Sequence, residues 1–432
     1  LTTSTLNRVM VVELALPAML PGALVALHHL VQISRPRWGY GSDMGGRRTP
    51  WIIGGMAVLA GGGVLAALAT AWMETDPGAG TALAVLAFTL IGIGVGACGT
   101  SLLVLLAKRV SDERRAAAAT TVWLMMIVGF IVTAGIAGHF LDPFSTGRLV
   151  AVTATVAAIA FVITVVAIYG MEGDAAPAPA PTEATGAPAG GEMSFREALA
   201  GVWAEPRARR FTVFVFVSML AYSAQDLILE PYAGAVFGLT PGESTRLAGV
   251  QNGGVLLGML LLAFLGSSTW GRRLGTLQTW TIVGCVGSAL ALLVLAAGHD
   301  YGPEFPLRGA VFALGLTNGL FAVAAIGSMM GLVSAGRERR EGVRMGLWGA
   351  AQAIAFGLGG FLGTAAVDLT RGLIGDPGPA YALVFTGEAL MFLISAVLAA
   401  RITQSTEAQS TGATSTEARP RALPAPAAAE TA

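Results

Sequence analysis

The stretch GYGSDMGGRR, residues 39–48, lies between two long apolar segments and decides which fold this chain can adopt. Its glycines permit close backbone approach, and its aspartate can accept hydrogen bonds from a helix N-terminus. Its two arginines can bind carboxylates or lipid phosphates. The pattern therefore indicates a compact loop that joins two membrane helices at a charged face. The residues that carry it are Gly39, Asp43, Gly46, Arg47 and Arg48.

The composition around this loop is that of an integral membrane protein. The chain has 432 residues, of which 54% are hydrophobic and only 12% are charged. Soluble domains carry about 25% charged residues, so this chain has half the usual share. Because the net charge is zero, nothing in the charge balance suggests a nucleic-acid partner. Cys98 and Cys285 both lie inside apolar runs, where free buried thiols are expected.

Twelve apolar segments approach the length of about 20 residues that a membrane-spanning helix needs. The first is only half of a span, and we expect the rest of that helix to precede Leu1. An Ala/Pro-rich stretch at 171–210 cannot bury apolar area and separates two blocks of six segments. The predicted segments are residues 1–14, 17–34, 50–72, 81–107, 116–140, 148–170, 211–237, 245–267, 274–297, 308–334, 343–367 and 380–401.

These segments predict four parts of the chain and their orientation. An N-terminal bundle covers 1–170, the linker covers 171–210, a second bundle covers 211–401, and a disordered tail covers 402–432. Eighteen Lys and Arg residues lie in the linker and in the loops on its side, against four in the opposite loops. Positive loops stay in the cytoplasm, so the linker and both termini are predicted to be cytoplasmic.

The two blocks repeat one another at an almost constant offset. Gly-Arg-Arg at 46–48 recurs at 271–273, although a serine replaces the aspartate of the first copy. Two such six-helix halves are typical of transporters that rock around a central site. Three landmarks lie 225 or 226 residues apart: the Gly-Arg-Arg pair; Glu113, Arg114 and Arg115 with Trp123, matching Glu338, Arg339 and Arg340 with Trp348; and Asp142 with Asp368.

Ionisable residues inside predicted spans are candidates for function, because charges in a bilayer are costly, and one of them is Glu388 in the twelfth span. Arg8 and Glu13 lie in the first span, and Asp226 and Glu230 lie in the seventh. The spacing of four puts Asp226 and Glu230 on one helix face. We expect Arg8 to pair with one of them, either at a functional site or as a structural pair that fixes helix register. The sequence shows no metal cluster and no nucleophile–base arrangement.

The adjacent His28 and His29 lie in the second span and are candidate ligands of a magnesium tetrapyrrole. Neutral imidazole is a metal ligand. Neighbouring helical residues point about 100° apart, so only one of the two can face a given ligand. The alternative is an imidazole that is hydrogen-bonded to a neighbouring group.

The opening loop resembles the signature loop between the second and third helices of the major facilitator superfamily. The resemblance implies an all-α membrane protein of two six-helix bundles related by a pseudo-two-fold repeat, here with a truncated first helix. Drug antiporters of this superfamily carry a Gly-Pro-Gly-Gly type motif in the fifth helix. The corresponding stretch here, VGFIVTAGIAGHFLD at 128–142, has no proline, which disfavours a proton-driven exporter.

Three longer phrases resemble the PucC/LhaA family of phototrophic bacteria: TLNRVMVVELALPA at 5–18, the arginine-rich lead into GYGSDMGGRRTPWI at 35–52, and AQDLILEPYAGAVFG at 224–238. The resemblance implies a non-enzymatic assembly factor for light-harvesting antenna complexes in the bacterial inner, intracytoplasmic photosynthetic membrane. It also implies bacteriochlorophyll as bound pigment or cargo, with antenna polypeptides and reaction-centre complexes as partners. The alternative functions are a proton-coupled transporter of a small solute that uses Asp226 and Glu230, and an enzyme of pigment synthesis.

Overall fold

The helices of the structure, a computed structural model, follow the predicted spans closely. The structure describes residues 3–34, 48–111, 114–171, 203–267, 275–334 and 341–417. The regular elements within these ranges are all helical. In chain order they are α1 (Thr5–Arg8, continued by the π-helical turn Val9–Glu13), α2 (Met19–Val31), α3 (Thr49–Trp72), α4 (Pro77–Arg109), α5 (Arg115–Phe140), α6 (Thr146–Ile168), α7 (Pro206–Phe237), α8 (Pro241–Ser267), α9 (Leu277–Ala297), α10 (Leu307–Ser334), α11 (Glu341–Ile374) and α12 (Pro377–Glu417).

Ten of these helices are long and apolar enough to cross a membrane, counted over the described ranges. The shorter apolar α2 and the partial α1 complete the twelve predicted segments. The chain is therefore a multi-pass membrane protein, as its composition predicts.

Several helix ends are fixed by local chemistry that the sequence shows directly. The Asp76 carboxylate accepts the backbone N–H groups of Gly78 and Ala79 at the start of α4. Thr276 and Thr279 form a reciprocal capping box at the start of α9. At the end of α7, Gly238 adopts a φ of 68°, a left-handed conformation in which a residue without Cβ is not strained. These caps satisfy backbone groups that a helix end leaves unpaired.

The packing of the helices confirms two halves related by a pseudo-two-fold repeat. In the first half α3 packs on α6 and α2 packs on α4, and in the second half α9 packs on α12 and α8 packs on α10. Between the halves, α5 packs on α8 and the repeat-equivalent α11 packs on α2. Helix α7 lies at the centre, where it contacts α11, α12 and α1. The fold is that of the major facilitator superfamily.

The crossing of α8 and α10 depends on four glycines that interlock. Gly254 and Gly258 on α8, and Gly315 and Gly319 on α10, are each spaced as Gly-x-x-x-Gly. A Cβ atom added at any of the four would overlap backbone atoms of the facing helix. Such spacing lets two helix backbones approach closely in a membrane, where lipid removes the hydrophobic driving force. The close contact between α8 and α10 is therefore possible because these four positions carry no side chain.

Three boundaries differ from the sequence-based prediction by five residues or more. Helix α11 continues to Ile374, seven residues past its predicted end at 367. Helix α12 continues to Glu417, so residues 402–417 are helical and the predicted disordered tail is wrong over that range. The first proline beyond the span is Pro420, so no proline stops the helix before Glu417, although the many Ser and Thr residues and Gly412 give this stretch little helix propensity of its own. Helix α7 begins at Pro206, five residues before the predicted start, because proline is well tolerated in the first helical turn. Residues 172–202, most of the predicted linker, lie outside the described residues.

Candidate functional site

Helix α7 carries the two predicted carboxylates, Asp226 and Glu230. About 67% of its most apolar stretch is buried, against 11% for α6, which faces outward. Tyr222, Asp226 and Glu230 follow one another at intervals of four on one face of α7. Asp226 is exposed, whereas Glu230 is 3% exposed. This face brings the two predicted carboxylates to the contact between the halves.

The prediction that Arg8 forms an ion pair with a carboxylate of α7 is wrong, because Arg8 pairs with a different residue. Arg8 is 2% exposed, and its guanidinium donates to the carboxylate of Glu13 on the next turn of its own segment. It also donates to the carbonyl oxygen of Leu239, just after α7, at 2.5 Å. Arg8 acts electrostatically on Glu230 but makes no ion-pair contact with it. The π-helical turn at Val9–Glu13 explains the difference, because it places Glu13 close enough to reach back to Arg8.

The first segment is anchored to the second half by side chains as well as by this arginine. The Asn7 amide donates to the carbonyl oxygen of Leu227 at 2.5 Å, and the hydroxyls of Thr5 and Thr245 lie 2.9 Å apart. Gly234 lies directly under Arg8, since a Cβ atom there would fall 2.9 Å from a guanidinium nitrogen. A larger residue at 234 would therefore displace the arginine.

The two predicted histidines lie where α2 meets α11. The Nδ1 atom of the buried His28 is 2.6 Å from the carbonyl oxygen of Val25, so this ring has the neighbouring hydrogen-bond partner considered in the sequence analysis. The half-buried His29 reaches across to Phe356 of α11, with ring centroids 6.0 Å apart. Phe356 in turn lies 5.9 Å from Tyr222 of α7. His29, Phe356 and Tyr222 thus form a line of rings that reaches the face of α7 carrying Asp226. We call these four residues, together with Glu230, the inter-half site.

Sequence reasoning missed two members of this site. Tyr222 lies four residues before Asp226, so the helical spacing alone could have included it. Phe356 had no such signal, because its contact depends on how α11 packs against α2 and α7. Among the described residues, no group of three or more His, Cys, Asp or Glu side chains could hold a metal ion.

The repeat-related aspartates bind the halves together at one end of the bundle. Asp368 of α11 accepts the backbone N–H groups of Ala18 and Met19, at 2.8 and 2.7 Å, and so caps the start of α2. Asp142, its repeat equivalent after α5, lies 3.3 Å from the guanidinium of Arg246 on α8. Each aspartate therefore contacts the opposite half, and the sequence repeat explains why two such contacts exist.

We expect Asp368→Ala to expose the start of α2. Loss of an N-terminal cap costs about 1 kcal/mol, so the amides of Ala18 and Met19 should exchange with deuterium about fivefold faster. Asp376→Ala is the matched control, because Asp376 accepts from Gly378 within the second half only. Unchanged exchange at residues 18–19 in the first variant, or equal acceleration in both, would contradict this role for Asp368.

The structure describes some of the predicted loop residues but not others. Gly39, Asp43, Gly46 and Arg47 of the opening loop lie outside the described residues, as do Glu113 and the Glu338–Arg340 triplet. Arg48 is buried directly before α3. Arg114 is exposed before α5, and Arg115 is the first residue of that helix. Neither Cys98 nor Cys285 forms a disulfide, and Cys285 is buried, whereas Cys98 is half-buried.

Comparison with known proteins gives a family match along nearly the whole chain. The model of the family described as PUCC protein matches residues 5–407. A protein of Rhodobacter capsulatus called bacteriochlorophyll synthase 44.5 kDa chain is 54% identical, covering 92% of this chain and 90% of that one. A protein called PucC from the same organism is 29% identical, covering 92% of this chain and 87% of the relative.

Solved structures match in fold. A crystal structure of the peptide transporter POT with bound sulfate superposes with a TM-score of 0.65, at 14% sequence identity, covering 93% of this chain and 92% of that one. The nucleoside transporter NupG gives a TM-score of 0.64 at the same identity, covering 93% of this chain and 94% of the transporter. Sequence identities this low establish a shared fold but do not indicate the substrate.

Proposed function

Because the chain belongs to the PucC family, we propose that it is an assembly factor for photosynthetic light-harvesting complexes, one that binds or delivers bacteriochlorophyll, antenna polypeptides or both. The observation that carries the proposal is the family match over residues 5–407, together with relatives from purple bacteria. The proposed location is the bacterial inner, intracytoplasmic photosynthetic membrane, with both termini and the linker in the cytoplasm. Antenna polypeptides and reaction-centre complexes are the proposed partners.

The chemistry of the inter-half site supports a flat, largely apolar cargo. His29, Phe356 and Tyr222 present three rings from three helices, and stacked or edge contacts with a conjugated ring system would stabilise such a cargo. An imidazole at this site would hold the magnesium of a tetrapyrrole. Of the two candidate histidines, His29 fits this role better, because His28 is buried against the carbonyl of Val25. Asp226 would accept hydrogen bonds from polar groups at the rim of the ring.

The relative called a bacteriochlorophyll synthase chain raises the alternative of an enzyme. The residues of the inter-half site favour binding instead, because its two carboxylates, one imidazole and two aromatic rings include no Ser, Cys or Lys nucleophile positioned by a base. The fold of a transporter, with its contacts between mobile halves, suits carriage of a molecule better than its synthesis. We therefore propose a non-enzymatic role.

The test is made in a pigmented phototroph whose own copy of this protein is deleted and replaced by tagged variants. We expect the wild-type protein, extracted in mild detergent, to co-purify with bacteriochlorophyll or antenna polypeptides and to restore antenna absorbance. His29→Leu should lower bound pigment at least about threefold, because it removes the imidazole ligand and one ring contact. Wild-type protein that is colourless and free of antenna subunits would contradict the proposal.

A proton-coupled transporter is the second candidate, favoured by the exposed Asp226 and by the similarity of fold to POT and NupG. It predicts proton flux into vesicles that depends on an added solute and is lost in Asp226→Asn. Asp300→Asn serves as the matched control, since Asp300 is exposed and lies outside the inter-half site. Unchanged antenna assembly in Asp226→Asn together with lost flux would favour transport over assembly.

A further inference from the structure

A groove on the outer side of the second half lies between α7, α11 and α12. Its volume is about 350 Å³, which is at the small end of the range for ligand pockets. Its walls are almost entirely apolar and include Ala224 of α7, Gly363 of α11 and Leu383 of α12. Leu362 and Leu383, which line it, are 49% and 54% exposed, so the groove opens toward the surrounding lipid.

One carboxyl group interrupts these apolar walls. Glu388 of α12 lines the groove, is 2% exposed, and has no hydrogen-bond partner at either oxygen. Asp226 is close enough for its charge to act on Glu388, but the two carboxyl groups form no hydrogen bond. A buried polar group without a partner costs free energy, so a residue of this kind calls for a binding role. Gly387 beside it leaves open space, into which the three-bond side chain of Glu388 can turn.

A second unpaired polar group lies at the same level of the fold. Tyr232 of α7 contacts Tyr381 and Phe385 of α12, with ring centroids 5.6 and 4.9 Å apart. The two helices run in opposite directions. Gln225 lies seven residues before Tyr232, and Glu388 lies seven residues after Tyr381. Each therefore lies about 10.5 Å along its helix from the contact between the two tyrosines. Gln225 is fully buried, and neither its amide nitrogen nor its amide oxygen has a partner.

The depth of Glu388 restricts what can reach it. It lies eleven residues from Pro377 and thirteen from Arg401, the ends of the apolar stretch, or about 17 and 20 Å along the helix. The apolar core of a bilayer is about 30 Å thick, so this carboxyl lies near its middle, beyond the reach of lipid headgroups. A helix, about 10 Å across, can cover the groove but cannot enter it. The occupant must be a narrow molecule dissolved in the membrane.

We propose that this groove binds a lipophilic alcohol, whose hydroxyl meets Glu388, at the level of Gln225, while its chain lies along the apolar walls. A hydroxyl both donates and accepts, which matches a carboxyl group that lacks a partner at either oxygen. None of the residues that line the groove belongs to the inter-half site. The inference therefore does not rest on the proposed function, and either can fail alone.

The test uses two photoreactive probes in liposomes that contain the whole protein. One is hexadecanol with a diazirine near the hydroxyl, and the other is its methyl ether, which cannot donate a hydrogen bond. We expect the alcohol to label residues of α11 and α12 around Gly363 and Gly387 about fivefold more than the ether, the difference made by one hydrogen bond. Glu388→Gln should keep most of this preference, and Glu388→Leu should abolish it.

A substitution that does not touch the carboxyl guards against misfolding of the Glu388 variants. Gly387→Leu should fill the groove and block labelling by both probes, since a side chain there meets open space. Gly372→Leu is its matched control, because Gly372 also faces open space but lies outside the groove. Equal labelling by alcohol and ether in the wild type, or labelling that survives Gly387→Leu, would overturn the proposal.

Discussion

Replacing Gly315 with leucine is expected to prevent the second half from folding. A Cβ atom at this position overlaps the carbonyl oxygen of Gln251, which belongs to the backbone of the facing helix α8. Rotation of a side chain cannot relieve that overlap, so α8 and α10 would have to move apart. Overpacking a core costs about 1–3 kcal/mol and more where backbone must shift. The yield of monodisperse protein in detergent should fall at least about tenfold, measured by fluorescence-detected size exclusion.

Gly253→Leu is the matched control for this prediction. Gly253 is also a glycine of α8, but a Cβ atom there meets nothing within 4 Å. The control protein should therefore accumulate at close to the wild-type level. If both variants accumulate equally well, the close approach of α8 and α10 is not what holds the second half together.

Replacing Arg8 with leucine is expected to have the second largest effect on stability. The variant leaves Glu13 without its cation and the carbonyl of Leu239 without its donor, in a part of the fold that the arginine fills almost completely. Removing one partner of a buried ion pair costs about 3–5 kcal/mol, and the partial exposure of Glu13 favours the lower value. The melting temperature of the detergent-solubilised protein should fall by about 5–10 °C.

The double variant separates the pair from the arginine alone. Arg8→Leu with Glu13→Leu should recover part of the loss, because no carboxylate is then left unpaired. By contrast, reversing charges in Arg8→Asp with Asp226→Arg should recover nothing, since those two residues form no pair in the structure. Arg246→Leu, which breaks the half-exposed pair with Asp142, should cost at most about 1 kcal/mol. Recovery by the charge reversal would show that Arg8 pairs with α7 after all.

The inter-half site shows how far sequence reasoning reaches at the level of single residues. Asp226 and Glu230 were assigned to one helix face from their spacing, and the structure places them on one face of α7. The partner of Arg8 was wrong, because the choice among three nearby carboxylates depends on a local π-helical turn. The burial of the repeat equivalents Trp123 and Trp348 also differs, although their sequence positions match. Trp348 is buried against Phe211, whereas Trp123 is 49% exposed.

The sequence by itself determined the class of protein, the number and approximate positions of its helices, and the division into two related halves. It could do so because spanning a bilayer imposes a length and an apolar composition on each segment, both of which are local properties of the chain. Only the tertiary structure decided that Glu13 is the partner of Arg8, that Phe356 joins His29 to Tyr222, and that Glu388 lines a groove. Each of these depends on distances between residues far apart in the chain or on a local departure from regular helix, and neither is encoded in composition or spacing.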